Sequence, residues 1–334
     1  MTTRDALAPV PLDPQARAFL DDWAGELAAA VPPASVGEAR ARYRDSRLSR
    51  QQHPAEVAER VDLVLQGAAG PLPARLFRGA GTAPDARLPV VAFFHGGGWV
   101  VGDLDTHEVP CRALASHARC AVVAVDYRLA PEHRFPAAFD DAVAAVRDLA
   151  GRAAELRLDA ECLIVAGDSA GGNLAAAAAL ALRGDAKVRV AMQVLIYPAT
   201  DLRAESASHH AFAKGFLLER ADVLHSVGQY LRDPADALDW RASPLLAPDV
   251  AGAPPAYVLT AGHDPLRDEG DAYALRLEQA GVPVTRECFE GMIHGFIALG
   301  GVMAAGGHAM YRAAQAMRQR FPARFGVKRP DRRV

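Results

Sequence analysis

Ser169 lies in a G-x-S-x-G run, Gly167-Asp168-Ser169-Ala170-Gly171. A short apolar run precedes it (residues 162–166) and an alanine-rich run follows it to residue 181. The first reads as a buried strand and the second as a helix. A serine on a tight strand-to-helix turn presents its hydroxyl to a substrate, and the flanking glycines remove the Cβ atoms that would clash there. The pentapeptide alone would also suit a plain β–α turn; its strand–turn–helix setting is what points to nucleophilic chemistry.

A serine hydroxyl is a weak nucleophile at neutral pH. It needs a base within hydrogen-bond reach, and imidazole titrates in the useful range. The base in turn needs a carboxylate that fixes its tautomer and stabilises the imidazolium. Where the nucleophile sits on such a turn, the acid follows it in the chain and the histidine comes last. Asp264 stands just past a predicted strand over 256–261, and His294 lies on a loop after a predicted strand over 284–289. Ser169, Asp264 and His294 thus all fall beyond the C-terminal ends of strands, where open α/β sheets carry their sites.

The developing oxyanion needs fixed N–H donors. A strand over 90–94 runs into His95-Gly96-Gly97-Gly98-Trp99, and glycines let backbone amides turn towards one point. Ala170, directly after the nucleophile, would add an amide at a helix N-terminus, where the dipole also favours negative charge. A flexible glycine loop is the bland alternative. A phosphate cradle is another, but the run lacks the Lys-Ser/Thr ending that such a loop requires.

Four blocks in fixed order carry a resemblance: HGGGW at 95–99, YRLAPEHRFPAA at 127–138, GDSAGGNL at 167–174, and DPLRDEG with GMIHGF at 264–270 and 291–296. Together they resemble the hormone-sensitive-lipase-like family of α/β-hydrolases, over roughly residue 61 to the C-terminal helix. The resemblance implies an ester hydrolase without a cofactor. It implies Ser169 as nucleophile, His294 as base and Asp264 as its orienter, with oxyanion amides at Gly97, Gly98 and Ala170 and with Gly96 shaping the loop. Arg134 departs from the pattern, standing where many members carry proline. The same fold also hosts amide and aryl-formamide hydrolases, and receptors that have lost a triad member; here all three members are present.

These loops need a frame. Strand-like segments over 61–65, 72–78, 88–94, 121–125, 162–166, 190–196, 257–261 and 284–289 alternate for the most part with helical ones over 109–117, 137–150, 171–182 and 268–279. That alternation predicts an α/β fold with a mostly parallel eight-stranded sheet covered by helices on both faces, opened by an antiparallel hairpin. Residues 1–52 read as helices (16–30, and a second from 35 to 44), and 199–241 interrupt the alternation with a helix near 221–231. We read both as a helical cap over a catalytic domain formed by 53–198 and 242–334. Trp99 and Phe216 could line the pocket or belong to the core.

Composition excludes other classes. The net charge is −3 with dispersed basic residues, so nothing points to nucleic acid. The basic run at 328–333 reads as a frayed tail. The first residues lack an apolar signal region and no run is long enough to span a bilayer, so the expectation is a cytoplasmic protein with no stable membrane anchor. Cys111, Cys120, Cys162 and Cys288 are scattered and read as small apolar residues. Homodimerisation through an edge strand or the C-terminal helix is possible.

With eleven histidines, a lone one means little. His95 is expected to pin the glycine loop. His263 precedes the acid, in the wrong order for the base. His209 and His210 read as a solvated cap face rather than a metal site, and no metal is expected. Asp168 is read as a structural hydrogen-bond partner. Arg128 is expected to pair with carboxylates that hold neighbouring loops, with Asp268 and Glu269 as candidate partners or first-turn helix acids.

Overall fold

The structure is a computed structural model and describes residues 10–29 and 31–326; the basic run at 328–333 and residues 1–7 lie outside the described residues. Eight strands form one sheet in the order β1-β2-β4-β3-β5-β6-β7-β8. They are β1 (Val57–Gly67), β2 (Gly70–Gly79), β3 (Leu88–Phe94), β4 (Ala121–Val125), β5 (Leu158–Asp168), β6 (Val190–Ile196), β7 (Ala256–His263) and β8 (Val284–Ile293). β1 and β2 form the antiparallel opening hairpin, β2 pairs antiparallel with β4, and the strands from β4 onward are parallel.

The strand period of two sorts side chains into two cores. Val90, Ala92 and Phe94 of β3 face one layer with Leu163 and Val165 of β5. Val91 and Phe93 face the other with Ile164 and Ala166. The first layer is covered by α4 (Ala137–Gly151), α5 (Ala170–Ala181) and α8 (Arg267–Gln279), the second by α3 (Glu108–Ala118) and α9 (Ala305–Arg320). Burial on both faces is why these strands read as unbroken apolar runs. All seven residues of β3 are buried.

The strand ends set the site. Ser169 is the first residue past β5, Asp264 the first past β7, His294 the first past β8 and His95 the first past β3. β8 outruns the expected end at Phe289, because a register shift in the β7–β8 pairing lets it continue to Ile293. Gly262 makes that shift possible: any Cβ there would overlap the Glu290 carbonyl oxygen.

Outside the sheet lie α1 (Pro14–Ala29) and α2 (Val36–Leu48) at the N-terminal end, and α6 (Ala207–Ala211) and α7 (Arg220–Tyr230) in the interval after β6. α2 starts at the Ser35 cap, whose hydroxyl accepts from the Glu38 N–H. α7 opens with a Glu219/Asp222 capping box. Arg134 reaches the other end of α7 and donates to the carbonyls of Leu231 (2.7 Å) and Gly228 (3.3 Å). A cation at the last carbonyls suits a helix C-terminus. Among the described residues, no helix is long and apolar enough to cross a membrane.

Candidate active site

Ser169 takes φ 57° and ψ −121°, a region that few residues other than glycine enter. Strain of this kind typically costs about 1–3 kcal/mol and persists only where the surroundings over-determine it. Here the Ser169 N–H donates to Ile196 O (2.9 Å), and its carbonyl accepts from Asn173 N (3.0 Å) and Ala199 N (3.2 Å). The buried Asn173 amide donates in turn to the carbonyls of Ala199 and Ala242, at 2.9 and 2.7 Å. Gly171 lets the helix close onto the neighbouring strand, since a Cβ would overlap the Phe94 carbonyl oxygen.

The three residues expected to act together do converge. His294 Nε2 lies 2.9 Å from Ser169 Oγ, and His294 Nδ1 lies 2.7 Å from Asp264 Oδ2. The carboxylate fixes the tautomer: Nδ1–H donates to Asp264, which leaves Nε2 to accept from the serine hydroxyl. Asp264 is fully buried, and its other oxygen accepts from the Leu266 N–H at 2.8 Å. The imidazole also packs against the Tyr197 ring, centroids 4.6 Å apart.

The glycine loop is braced from below. The Gly96 N–H donates to Asp168 Oδ1 (3.0 Å), His95 Nδ1 contacts Gly96 O (2.9 Å), and Tyr127 Oη donates to His95 O (2.7 Å). His107 Nε2 stands 3.3 Å from Asp168 Oδ1, within ion-pair distance but out of line for a hydrogen bond. His95 and Asp168 therefore do take the structural parts expected of them. Gly97 adopts φ 124°, where any Cβ would strike the Val101 carbonyl, and its own carbonyl accepts from Val100 and Val101. The Gly97 and Gly98 N–H groups find no acceptor among the described residues, and Ala170 carries a first-turn amide of α5. All three residues line one cavity of about 590 Å³ with Ser169 and His294.

Trp99 both packs and lines. It is 3 % exposed, stacks on Tyr230 at 4.4 Å with the rings 5° apart, and still forms part of the cavity wall. Phe216 is not a lining residue. It packs against Phe212 and His263, while its neighbours Leu217 and Leu218 face the cavity.

His209 departs from the expected solvated face: it is fully buried, with Nε2 2.8 Å from Glu269 Oε2, while His210 is exposed. Glu269 also accepts from the Thr200 and Asp201 N–H groups; burial raises its pKa, against the His209 contact. Among the described residues, no group of three or more His, Cys, Asp or Glu side chains is placed to hold a metal.

Arg128 pairs with Asp141 rather than with Asp268 or Glu269 (Nε–Oδ2, 2.7 Å). Asp268 instead accepts from the Ser208 N–H. Cys111, Cys120 and Cys162 are buried and Cys288 half-buried; burial pushes the Cys162 thiol up to about 12 and the Cys288 thiol up to about 11, so both stay protonated near neutrality.

The N-terminal helices were expected in the cap, but the α2 side chains that reach the cavity were not singled out. Arg42, Tyr43, Ser46 and Arg47 line the cavity, spaced as one helix face. Their helical spacing was the available signal, but polar residues on a helix face read first as solvated.

A family model described as the α/β-hydrolase fold matches residues 91–298. The chain is 42 % identical over 265 residues to the carboxylic ester hydrolase LipN of Mycobacterium tuberculosis, covering 77 % of this chain and 70 % of that one. It is 41 % identical over 249 residues to an ethyl acetate hydrolase of Pseudomonas putida, covering 74 % and 78 %. Among solved structures it is similar to the ester-hydrolase EH1AB1 from the metagenome of Lake Arreo, complexed with a bipyridine phosphonate derivative. That similarity has a TM-score of 0.90 at 42 % identity, over 93 % of this chain and 99 % of that one. By the segment matched and the identity of these relatives, the chain belongs to the α/β-hydrolase fold family, in the hormone-sensitive-lipase-like branch to which its four sequence blocks point.

Proposed function

We propose that the protein is a serine carboxylesterase acting on short- to medium-chain esters through an acyl-enzyme intermediate. One observation carries the reading: Asp264, His294 and Ser169 are joined by contacts of 2.7 and 2.9 Å at the wall of a cavity that Gly97, Gly98 and Ala170 also line. The relatives named as ester hydrolases support it.

Ser169 Oγ attacks the ester carbonyl as His294 Nε2 takes its proton. Asp264 stabilises the imidazolium without itself becoming protonated. The carbonyl oxygen gains negative charge and is held by the amides of Gly97, Gly98 and Ala170. His294 then protonates the departing alkoxide, and the alcohol leaves. Water, deprotonated by His294, attacks the acyl-serine; collapse of that second intermediate returns the proton to Ser169 and frees the acid. Helices α1, α2 and α7 supply the outer wall and act as the cap. Phe19 and Trp23 of α1, Val223 and Val227 of α7, and Leu218 just before α7 give the acyl chain an apolar surface.

The test is turnover of p-nitrophenyl butyrate and mass analysis after treatment with an alkyl phosphonate ester. Ser169→Ala is expected to abolish the turnover above background, and the adduct is expected on the peptide holding Ser169. Full turnover by the alanine variant would overturn the assignment.

A further inference from the structure

Among the described residues, Arg47 is the one charged side chain lining the cavity that has neither an ion-pair nor a hydrogen-bond partner. The other charges there are engaged. Arg42 pairs with Glu38, Asp201 with Arg203 and Glu269 with His209. Glu219 and Asp222 are occupied by their capping box. On α2 the contrast is sharp: Arg40, Arg42 and Arg44 are all ion-paired, and Arg47, one turn beyond Arg44, is not.

Arg47 is nevertheless held in place. Its guanidinium lies over the Tyr43 ring, 4.8 Å from the centroid, and its Nε is buried without an acceptor. Its Nη2 comes within 3.4 Å of where a Cβ on Gly295 would stand, so it sits beside the residue that follows His294. A guanidinium keeps its charge at any working pH and offers five donors in a planar fork. A partly buried one without an acceptor matches a ligand that brings a planar pair of oxygens. The acidic Glu219 and Asp222 on the same cavity favour a single negative charge over a dianion such as phosphate.

Building on the esterase reading, we propose that Arg47 is a specificity residue that binds a free carboxylate on the substrate, so that the enzyme favours esters carrying one carboxylate in their acyl or alcohol part. Such molecules are the half-esters of dicarboxylic acids and the O-acyl derivatives of hydroxy acids.

The experiment compares kcat/KM for matched pairs. Monoethyl glutarate against ethyl 5-methylhexanoate places the charge in the acyl half; O-acetylglycolate against isobutyl acetate places it in the alcohol half. Arg47→Met is expected to lower the charged-to-neutral ratio about tenfold or more in at least one pair, as loss of a charge-assisted contact does. Arg47→Lys is expected to keep part of the ratio, and the wild-type ratio to fall with added salt. Arg189→Met, which removes an exposed arginine outside the cavity lining, serves as the control and is expected to leave the ratio unchanged. Because the ratio is internal to each preparation, partial unfolding of a variant does not move it. Neutral esters turned over with neither ratio moved by Arg47→Met would overturn the Arg47 assignment alone. Failure of the wild-type protein on both charged and neutral esters would instead remove the esterase reading beneath it.

Discussion

The carboxylate of Asp168, the residue before the nucleophile, holds the N–H of Gly96, the residue before the two loop glycines, at 3.0 Å. Ser169 follows β5 and the glycine loop follows β3. This bond therefore ties the attacking oxygen and the oxyanion amides into one body, although they come from different loops. Asp168→Ala is expected to lower kcat roughly a hundredfold, as loss of one oxyanion donor does, with a much smaller change in KM. Asp168→Asn retains an acceptor oxygen and should fall less. Equal losses in kcat for both variants, or a loss confined to KM, would show that this bond does not position the amides.

His95 supplies a pH test of the same loop. Burial, with His107 adding to it, holds its pKa down to about 4 from an ordinary 6.5. The folded protein thus keeps the ring neutral while the unfolded chain takes up a proton. The stability this gives is fully present above about pH 6.5 and is lost as pH falls through the folded value near 4. Between pH 7 and 5 the loss is on the order of 2 kcal/mol. Urea unfolding at the two pH values measures it directly. In His95→Asn, which cannot titrate, the difference between pH 7 and pH 5 should shrink by about that amount. An unchanged difference would mean that the ring takes up its proton over the same pH range in the folded protein as in the unfolded chain.

Arg128, itself partly exposed, clamps the buried carboxylate of Asp141. Asp141 is 1 % exposed and accepts from the Arg128 backbone N–H, from its Nε and Nη2, and from the Ala68 N–H. It thereby joins the β1–β2 turn to the loop after β4. Arg128→Met leaves the carboxylate buried without its charge partner. The expected cost is about 3 kcal/mol of unfolding free energy, with kcat for p-nitrophenyl butyrate largely kept. The double variant Arg128→Met/Asp141→Leu should recover part of that loss, since no lone charge remains. Denaturant midpoints of the two proteins decide it; a double variant weaker than the single one would refute the clamp.

These cases show what could be read from the chain and what could not. The frame was legible because parallel strands covered on both faces leave unbroken apolar runs, and the residues just beyond them (Ser169, Asp264, His294, His95) could be located by counting. The partner of Arg128 was not legible: Asp141 sits on a helix face whose inward turn depends on packing against the sheet. His209 and His210 are neighbours on a five-residue helix, and which one is buried is decided by Glu269, sixty positions away. Phe216, Leu217 and Leu218 form an apolar run without periodicity, so nothing local says which faces the cavity. The α2 side chains that reach the cavity were hidden for a related reason. That helix has no buried residue, so its sequence carries no hydrophobic stripe to orient it.

The apolar wall on α7 sets the last expectation. Val223 and Val227 lie one turn apart and face the cavity together with Leu218. Each methylene of an acyl chain that reaches this surface gains about 0.8 kcal/mol, close to a fourfold rise in kcat/KM per carbon. The gain ends where the cavity of about 590 Å³ ends. Across p-nitrophenyl esters, kcat/KM should climb from acetate, peak at roughly four to eight carbons and then fall. Val223→Trp adds bulk to the wall and should move the maximum to shorter chains while acetate turnover changes little. A maximum at twelve carbons or beyond, or a Val223→Trp profile parallel to wild type, would place the acyl chain away from α7.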